Sequence, residues 1–150
     1  MIHERAWHVA YRHVFPPERL SGFRSDRNRW RTRLTAPPRR SAVIVAVDGD
    51  VIVGFASVGE SREEPGGGEL YAIYVDPGRW RTGAGRTLLR RAEDELRHLG
   101  FAAATLWVLE DNPRARGFYE AEGWRADGER KLDTFLGLEV AEVRYGRMLA

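Results

Sequence analysis

Two glycines stand two residues apart in Arg81-Thr82-Gly83-Ala84-Gly85-Arg86, between a strand-like run, Glu69 to Val75, and an amphipathic stretch that opens at Ala84. N–H groups in the first turn of a helix have no partner within the helix, and glycine lets a ligand approach them without an obstructing Cβ. Phosphate is the chemistry such a turn suits. An anionic contact there is worth roughly 0.3–1 kcal/mol when exposed and up to about 2 kcal/mol when partly buried. Arg79, Arg81 and Arg86 add positive charge. A plain strand-to-helix turn has the same composition, so the glycines alone leave both readings open. A dinucleotide fingerprint needs a third glycine where Leu88 stands, and a P-loop needs a Gly-Lys-Ser/Thr run that is absent.

The second group of chemically capable residues follows the run Phe101 to Leu109. Asn112 before Pro113 has the form of a helix cap and first helical residue. Tyr119 lies four residues after Ala115 on the same helix face, where a core aromatic is the ordinary expectation. Glu69 and Glu110 are carboxylates at strand ends. His3, His8 and His13 recur every five residues, a spacing that scatters them around a helix and disfavours a metal site.

Helical spacing of Trp7, Ala10, Tyr11 and Val14 predicts a helix from Glu4 to Val14, stopped by Pro16-Pro17. A second helix is expected from about Glu18 to Leu34, with Leu20, Phe23, Trp30 and Leu34 inward. Two β-rich runs around Asp48-Gly49 read as a hairpin. Residues 61–68, rich in glycine and charge, read as a loop. The apolar stripe Leu88, Leu89, Ala92, Leu96 and Leu99 predicts a helix over 84–99, ended by Gly100. A buried strand over 101–109, a helix over 113–122, a short strand near 124–127 and a last strand near 139–149 complete the pattern. Strand 69–75, helix 84–99 and strand 101–109 form a right-handed βαβ-like unit.

The 150 residues, 43% of them apolar with five tryptophans, predict one domain, 1–150, with a packed core. No apolar run reaches membrane length, and charges interrupt the region where an export signal would lie. The absence of cysteine removes thiolate chemistry and fits a cytoplasmic location. Residues 1–40 carry ten arginines against Glu4, Glu18 and Asp26, whereas the remainder is net acidic. This basic arm raises nucleic acid or an acidic partner as a reading, against the plainer one of solvated helix faces; with 23 arginines and one lysine, codon bias is the simpler source.

The runs Leu70-Tyr-Ala-Ile-Tyr-Val-Asp-Pro-Gly-Arg-Trp-Arg-Thr-Gly-Ala-Gly-Arg-Thr-Leu-Leu89 and Thr105-Leu-Trp-Val-Leu-Glu-Asp-Asn-Pro-Arg-Ala-Arg-Gly-Phe-Tyr-Glu-Ala-Glu-Gly-Trp124 occur at a particular separation. Together they resemble the GNAT superfamily of acyl-CoA-dependent N-acetyltransferases, over about Ala42 to Tyr145. The resemblance implies an α/β fold with a mixed, mostly antiparallel sheet and flanking helices. Here the usual first strand is missing, or the recorded start omits it. It further implies that backbone amides of Arg81, Thr82, Gly83, Ala84, Gly85 and Arg86 receive the pyrophosphate of coenzyme A. Ile73 and Val75 would pair with the pantetheine arm, and an N–H near Tyr74 or Val75, at a bulged strand end, would meet the oxyanion. Asn112 would bond the pantetheine, and Tyr119 would protonate the departing thiolate.

Two positions depart from the family pattern: Trp80 replaces a Gln or Arg, and Trp107 replaces a glutamate of the ribosomal-protein N-terminal acetyltransferases. Glu69 is then the expected general base, directly or through water, and a site with so weak a base is expected to prefer low-pKa amines. Trp7 and Tyr11 are candidates for the acceptor pocket. The implied function is acetyl transfer from acetyl-CoA, without a metal, to an amine of a small molecule or peptide. The alternative is an inactive acyl-CoA-binding sensor or scaffold. The acceptor's identity and a homodimer are left open.

Overall fold

The computed structural model describes residues 2–149. Three helices come first: α1 (Ile2–Ala10), α2 (Pro17–Leu20) and α3 (Arg27–Thr35). The first is shorter than its periodicity predicts, because the chain after Ala10 tightens into a turn. Tyr11 N–H donates to Trp7 O, and Phe15, almost fully buried, closes onto Tyr11 O. The helix expected over 18–34 is broken into α2 and α3. Asp26 caps α3 by accepting the Arg29 N–H at 2.9 Å, and the Ser25 N–H donates to the Glu4 carboxylate at 2.9 Å. Capping bonds of this kind outcompete continuation of a helix already weakened at Gly22. Leu34, expected inward, is 60% exposed.

Six strands form one sheet: β1 (Ala42–Asp48), β2 (Val51–Glu60), β3 (Gly68–Val75), β4 (Ala103–Leu109), β5 (Arg125–Phe135) and β6 (Leu138–Met148). Their order is β1-β2-β3-β4-β6-β5, with β3–β4 the sole parallel pair. The Asp48-Gly49 hairpin forms as read, Gly49 taking a φ of 62°. Between β3 and β4 runs helix α4 (Ala84–His98), whose Leu88, Leu89, Ala92 and Leu96 are buried against the sheet. Helix α5 (Pro113–Ala121) follows β4. The short strand expected near 124–127 is the start of the eleven-residue β5; its run Asp-Gly-Glu-Arg-Lys-Leu-Asp-Thr is nearly all exposed, so no apolar alternation marked it.

Side chains alternate across β3 and so meet different layers. Ile73 and Val75 pack into the larger core with Leu88, Leu89 and Tyr119. Tyr74 packs on the opposite face with Trp7, Phe15 and Leu20 of the helical arm. No helix among the described residues is long and apolar enough to cross a membrane.

Candidate active site

Strands β3 and β4 pair at only two positions, Gly68 with Ala104 and Glu69 with Thr105, and then part. From Leu70 onward β3 has a partner on one side only. A cavity of about 1130 Å³ occupies the parting. Because it is lined by Trp7, Trp30 and Tyr74 on one face and by Gly85, Phe118 and Tyr119 on the other, it runs through the sheet.

The parity of the open edge follows from one bond. Asp76 N–H donates to Val53 O of β2 at 2.7 Å. Antiparallel alternation then turns Tyr74 toward β2 as well and leaves the amides of Ile73 and Val75 facing the parting. The Val75 carbonyl confirms the direction, since it accepts the Trp80 indole N–H at 2.9 Å rather than a β2 donor. Two sequence expectations change here. The bulge lies not at the end of β3 but at Tyr71, between the pairs Leu70–Val58 and Ala72–Ser57. Tyr74 therefore offers the cavity its phenol, not its backbone N–H.

At the end of β3 the chain passes through a 3-10 turn, Pro77–Arg79, into the glycine turn. Arg81 (φ 62°) and Gly83 (φ 87°) both adopt left-handed backbone. Gly83 caps α4 without a side-chain bond, and the first helical bond runs from Thr87 N–H to Gly83 O. The amides of Ala84, Gly85 and Arg86 thus precede the first α-helical donor and face outward from the helix start. A Cβ at Gly83 would meet nothing within 4 Å, and one at Gly85 would make ordinary contacts with Phe118 at 3.6 Å and Val75 at 3.8 Å. Packing does not impose glycine at either place: the positive φ imposes it at Gly83, and at Gly85 a Cβ would meet only ordinary van der Waals contacts. Arg81, Arg86 and Arg114 line this end of the cavity; Arg86 is paired with Glu122, and Arg114 stacks on Trp80 at 3.5 Å.

Asn112 is buried, caps α5 by accepting the Ala115 N–H at 3.2 Å, and lines the cavity. Tyr119 is buried, lines the same cavity, and its hydroxyl bonds no described residue. Burial holds that phenol well above the usual tyrosine range, with Tyr74 adding to the shift, so it stays protonated. Trp7 and Tyr11 both line the cavity, and the Trp7 indole N–H donates to the Tyr74 hydroxyl at 3.0 Å. Burial likewise raises the phenols of Tyr11 and Tyr74.

Glu69 is not placed as a base. Its carboxylate is almost fully buried, accepts the Arg62 amide at 3.1 Å and is gripped by that guanidinium at 3.1 and 2.5 Å. It fastens the 61–67 loop to the point where β3 and β4 meet. Glu110 lies outside, paired with Arg130 at 3.1 Å. Lys131 covers the ring of Trp107 at 4.2 Å.

A different carboxylate reaches the cavity. Glu142 on β6 stands opposite Leu109 of β4 and Lys131 of β5 and lines the cavity, and its carboxylate makes no hydrogen bond or ion pair with a described residue. Burial lifts its pKa above the ordinary carboxylate value, with Lys131 opposing and Asp133 assisting. Its charge helps to raise the phenols of Tyr11 and Tyr74, which line the same cavity. Sequence gave little sign of it, since Glu139 and Glu142 look alike in the run Leu-Glu-Val-Ala-Glu-Val. Only the strand register separates them. Among the described residues no group of three His, Asp or Glu is arranged to hold a metal.

The chain resembles known proteins both in sequence and in fold. The family described as "Acetyltransferase (GNAT) family" matches residues 5–124. An uncharacterized N-acetyltransferase, YuaI of Bacillus subtilis (strain 168), is 34% identical over 97% of this chain and 83% of its own length. A mycothiol acetyltransferase of Beutenbergia cavernae is 40% identical over 54% of this chain, but the match spans only 27% of that protein. The PaiA N-acetyltransferase of Thermoplasma acidophilum, solved with coenzyme A, superposes with a TM-score of 0.75 over 98% of this chain and 88% of its own, at 17% identity. The chain belongs to the GNAT acetyltransferase family, and acetyl transfer is its general chemistry.

Proposed function

We propose that residues 1–150 form one catalytic unit that moves an acetyl group from acetyl-CoA to an amine of a small molecule or peptide, by direct attack. The observation that carries this reading is the unpaired edge of β3, which points the amides of Ile73 and Val75 at a cavity shared by the glycine turn and the Tyr119 hydroxyl. These residues fit the co-substrate. Free amides at 84–86 and the charges of Arg81 and Arg114 suit a diphosphate, the edge of β3 suits the amide-bearing arm, and Asn112 stands beside both.

In this reading Glu142 takes the proton of the acceptor amine, in place of Glu69. A carboxyl raised by burial is a better base than an exposed one, yet it is still far weaker than an alkyl amine near 10.4. Low-pKa amines, such as α-amino groups, are therefore the favoured acceptors. An edge amide of β3, from Ile73 or Val75, donates to the oxyanion as charge develops there, already oriented by the sheet. Tyr119, protonated throughout the neutral range, donates to the leaving thiolate. The absence of cysteine agrees with attack without an acetylated cysteine intermediate.

Free-thiol release from acetyl-CoA, measured against a panel of amines, tests the proposal. Turnover that depends on the amine supports it. Tight coenzyme A binding with no thiol release on any amine would make the chain a sensor or scaffold instead.

A further inference from the structure

The face of the cavity under α3 holds groups that acetyl-CoA and the amine leave unused. Trp30 anchors α3 edge-on against Phe55 of β2, with ring centroids 4.9 Å apart. One turn further on, the Arg33 guanidinium lies over the Tyr71 ring at 4.8 Å. Arg62 lies over the same ring at 5.2 Å, but its charge is met by Glu69. Arg33 has no such partner; among the described residues neither its guanidinium nor that of Arg29 is ion-paired, although both residues line the cavity. Asp26 is the carboxylate on that wall, and one of its oxygens is committed to the α3 cap. Burial, with the like charges of Arg29 and Arg62, makes the Arg33 cation costly to hold.

Ser57 supplies the independent observation. It is 2% exposed, lines the cavity, and its Oγ has no hydrogen-bond partner. A buried hydroxyl left unbonded is a loss that folding alone does not explain, because alanine would fill the same place. It shares the face of β2 that carries Phe55, two residues along the strand, with Ala72 of β3 opposite it. An unpaired guanidinium fork and an unpaired hydroxyl therefore share one wall of one cavity. Carboxylate and phosphate oxygens match that set of donors.

We propose that this wall is an anion subsite, and that the acceptor carries a carboxylate or phosphate bound by Arg33 and Ser57, with Arg29 adding charge at the rim. Ser57 pairs with Ala72 while Phe55 pairs with Tyr74, so the subsite lies two residues along the strand from Tyr74, about 7 Å. The anionic group is thus several bonds removed from the reacting nitrogen. The subsite gives a use to part of the arginine-rich arm, and it rests on the proposed transfer to an amine only for the statement that its ligand is the acceptor.

Three amidated dipeptides with the same α-amine, Ala-Asp, Ala-phosphoserine and Ala-Asn, test it with acetyl-CoA as donor. The acidic pair should exceed Ala-Asn in kcat/KM at least tenfold, mainly through KM, with the advantage falling as salt rises. Arg33→Met and Ser57→Ala should each shrink that ratio. Ser57→Ala removes an oxygen that bonds nothing in the protein, so its fold is not at stake. Calorimetry with the acetylated dipeptides reads the subsite without turnover: acetyl-Ala-Asp should bind the coenzyme A complex at least tenfold tighter than acetyl-Ala-Asn, and Arg33→Met should abolish the difference. Equal binding of the two, or a difference that survives Arg33→Met, overturns the subsite even if amines are acetylated. Arg33-dependent binding without acetylation of any amine would keep the subsite and overturn the transfer reading.

Discussion

Trp80 donates its indole N–H to the Val75 carbonyl, so the last acceptor on the open edge of β3 is capped from within the chain. The same ring carries the Arg114 guanidinium at 3.5 Å. A residue that departs from the family's usual Gln or Arg thus has two tasks, finishing the strand edge and holding a cation beside the glycine turn. Trp80→Phe keeps the ring for Arg114 and removes the donor. Losing one such bond is worth about 0.5–1.5 kcal/mol, so coenzyme A affinity measured by calorimetry should fall roughly 2- to 12-fold. Unchanged affinity would show that the capped carbonyl does not shape the cofactor edge.

The glycine turn separates backbone strain from ligand access. Gly83→Val must force a β-branched residue to a φ of 87°, a strain of at least about 1–2 kcal/mol. It should therefore lower Tm as well as acetyl-CoA affinity. Gly85→Val meets only ordinary contact at its Cβ. Its Tm should stay close to wild type while acetyl-CoA affinity falls tenfold or more, about 1.4 kcal/mol. A folded Gly85→Val protein with wild-type affinity would remove the turn from the cofactor site.

Tyr119→Phe removes a hydroxyl that bonds no described residue. Stability should not fall, yet kcat should drop by about 10²–10⁴ with little change in the KM for acetyl-CoA. Because its pKa lies above the usual phenol value, its ionisation should not produce an alkaline limb below about pH 10 in the wild-type rate profile. Wild-type turnover by the Phe variant would leave Tyr119 a core aromatic.

Glu142 and Glu69 are expected to trade places when mutated. Glu142 has its pKa raised by folding, so its charged form opposes stability above the unfolded value near 4.5, and protonation on acidification relieves that cost. Glu142→Gln should therefore leave Tm at pH 7–8 equal or higher, while kcat/KM falls by about 10²–10⁴ and the acid limb of the pH profile disappears. Glu69→Gln should do the reverse. Weakening its bonds to Arg62, which can still reach solvent, should cost about 1–3 kcal/mol of stability with turnover kept within a few-fold. Thermal melts and pH–rate profiles on the two variants decide between the carboxylates.

Much of the site was legible in the chain because its parts are local. The Gly83-Ala84-Gly85 turn, the Asn112-Pro113 cap and the α4 stripe depend on residues a few positions apart, and local capping and periodicity write themselves into sequence. The hairpin at Asp48-Gly49 and the parallel β3–α4–β4 unit were readable for the same reason. What tertiary structure decided was every property that depends on who stands opposite. Residues 127–134 became strand because β6 offered a ladder, not because their polar sequence alternates. The bulge at Tyr71 and the bond from Asp76 to Val53 O, both matters of pairing with β2, turned the amides of Ile73 and Val75 toward the cavity and that of Tyr74 toward β2. Register likewise placed Glu142 in the cavity, and a long-range contact with Arg62 took Glu69 out of use. A carboxylate's identity is fixed by its codon, but its role is fixed by burial and neighbours, and those come from strands that sequence distance keeps far apart.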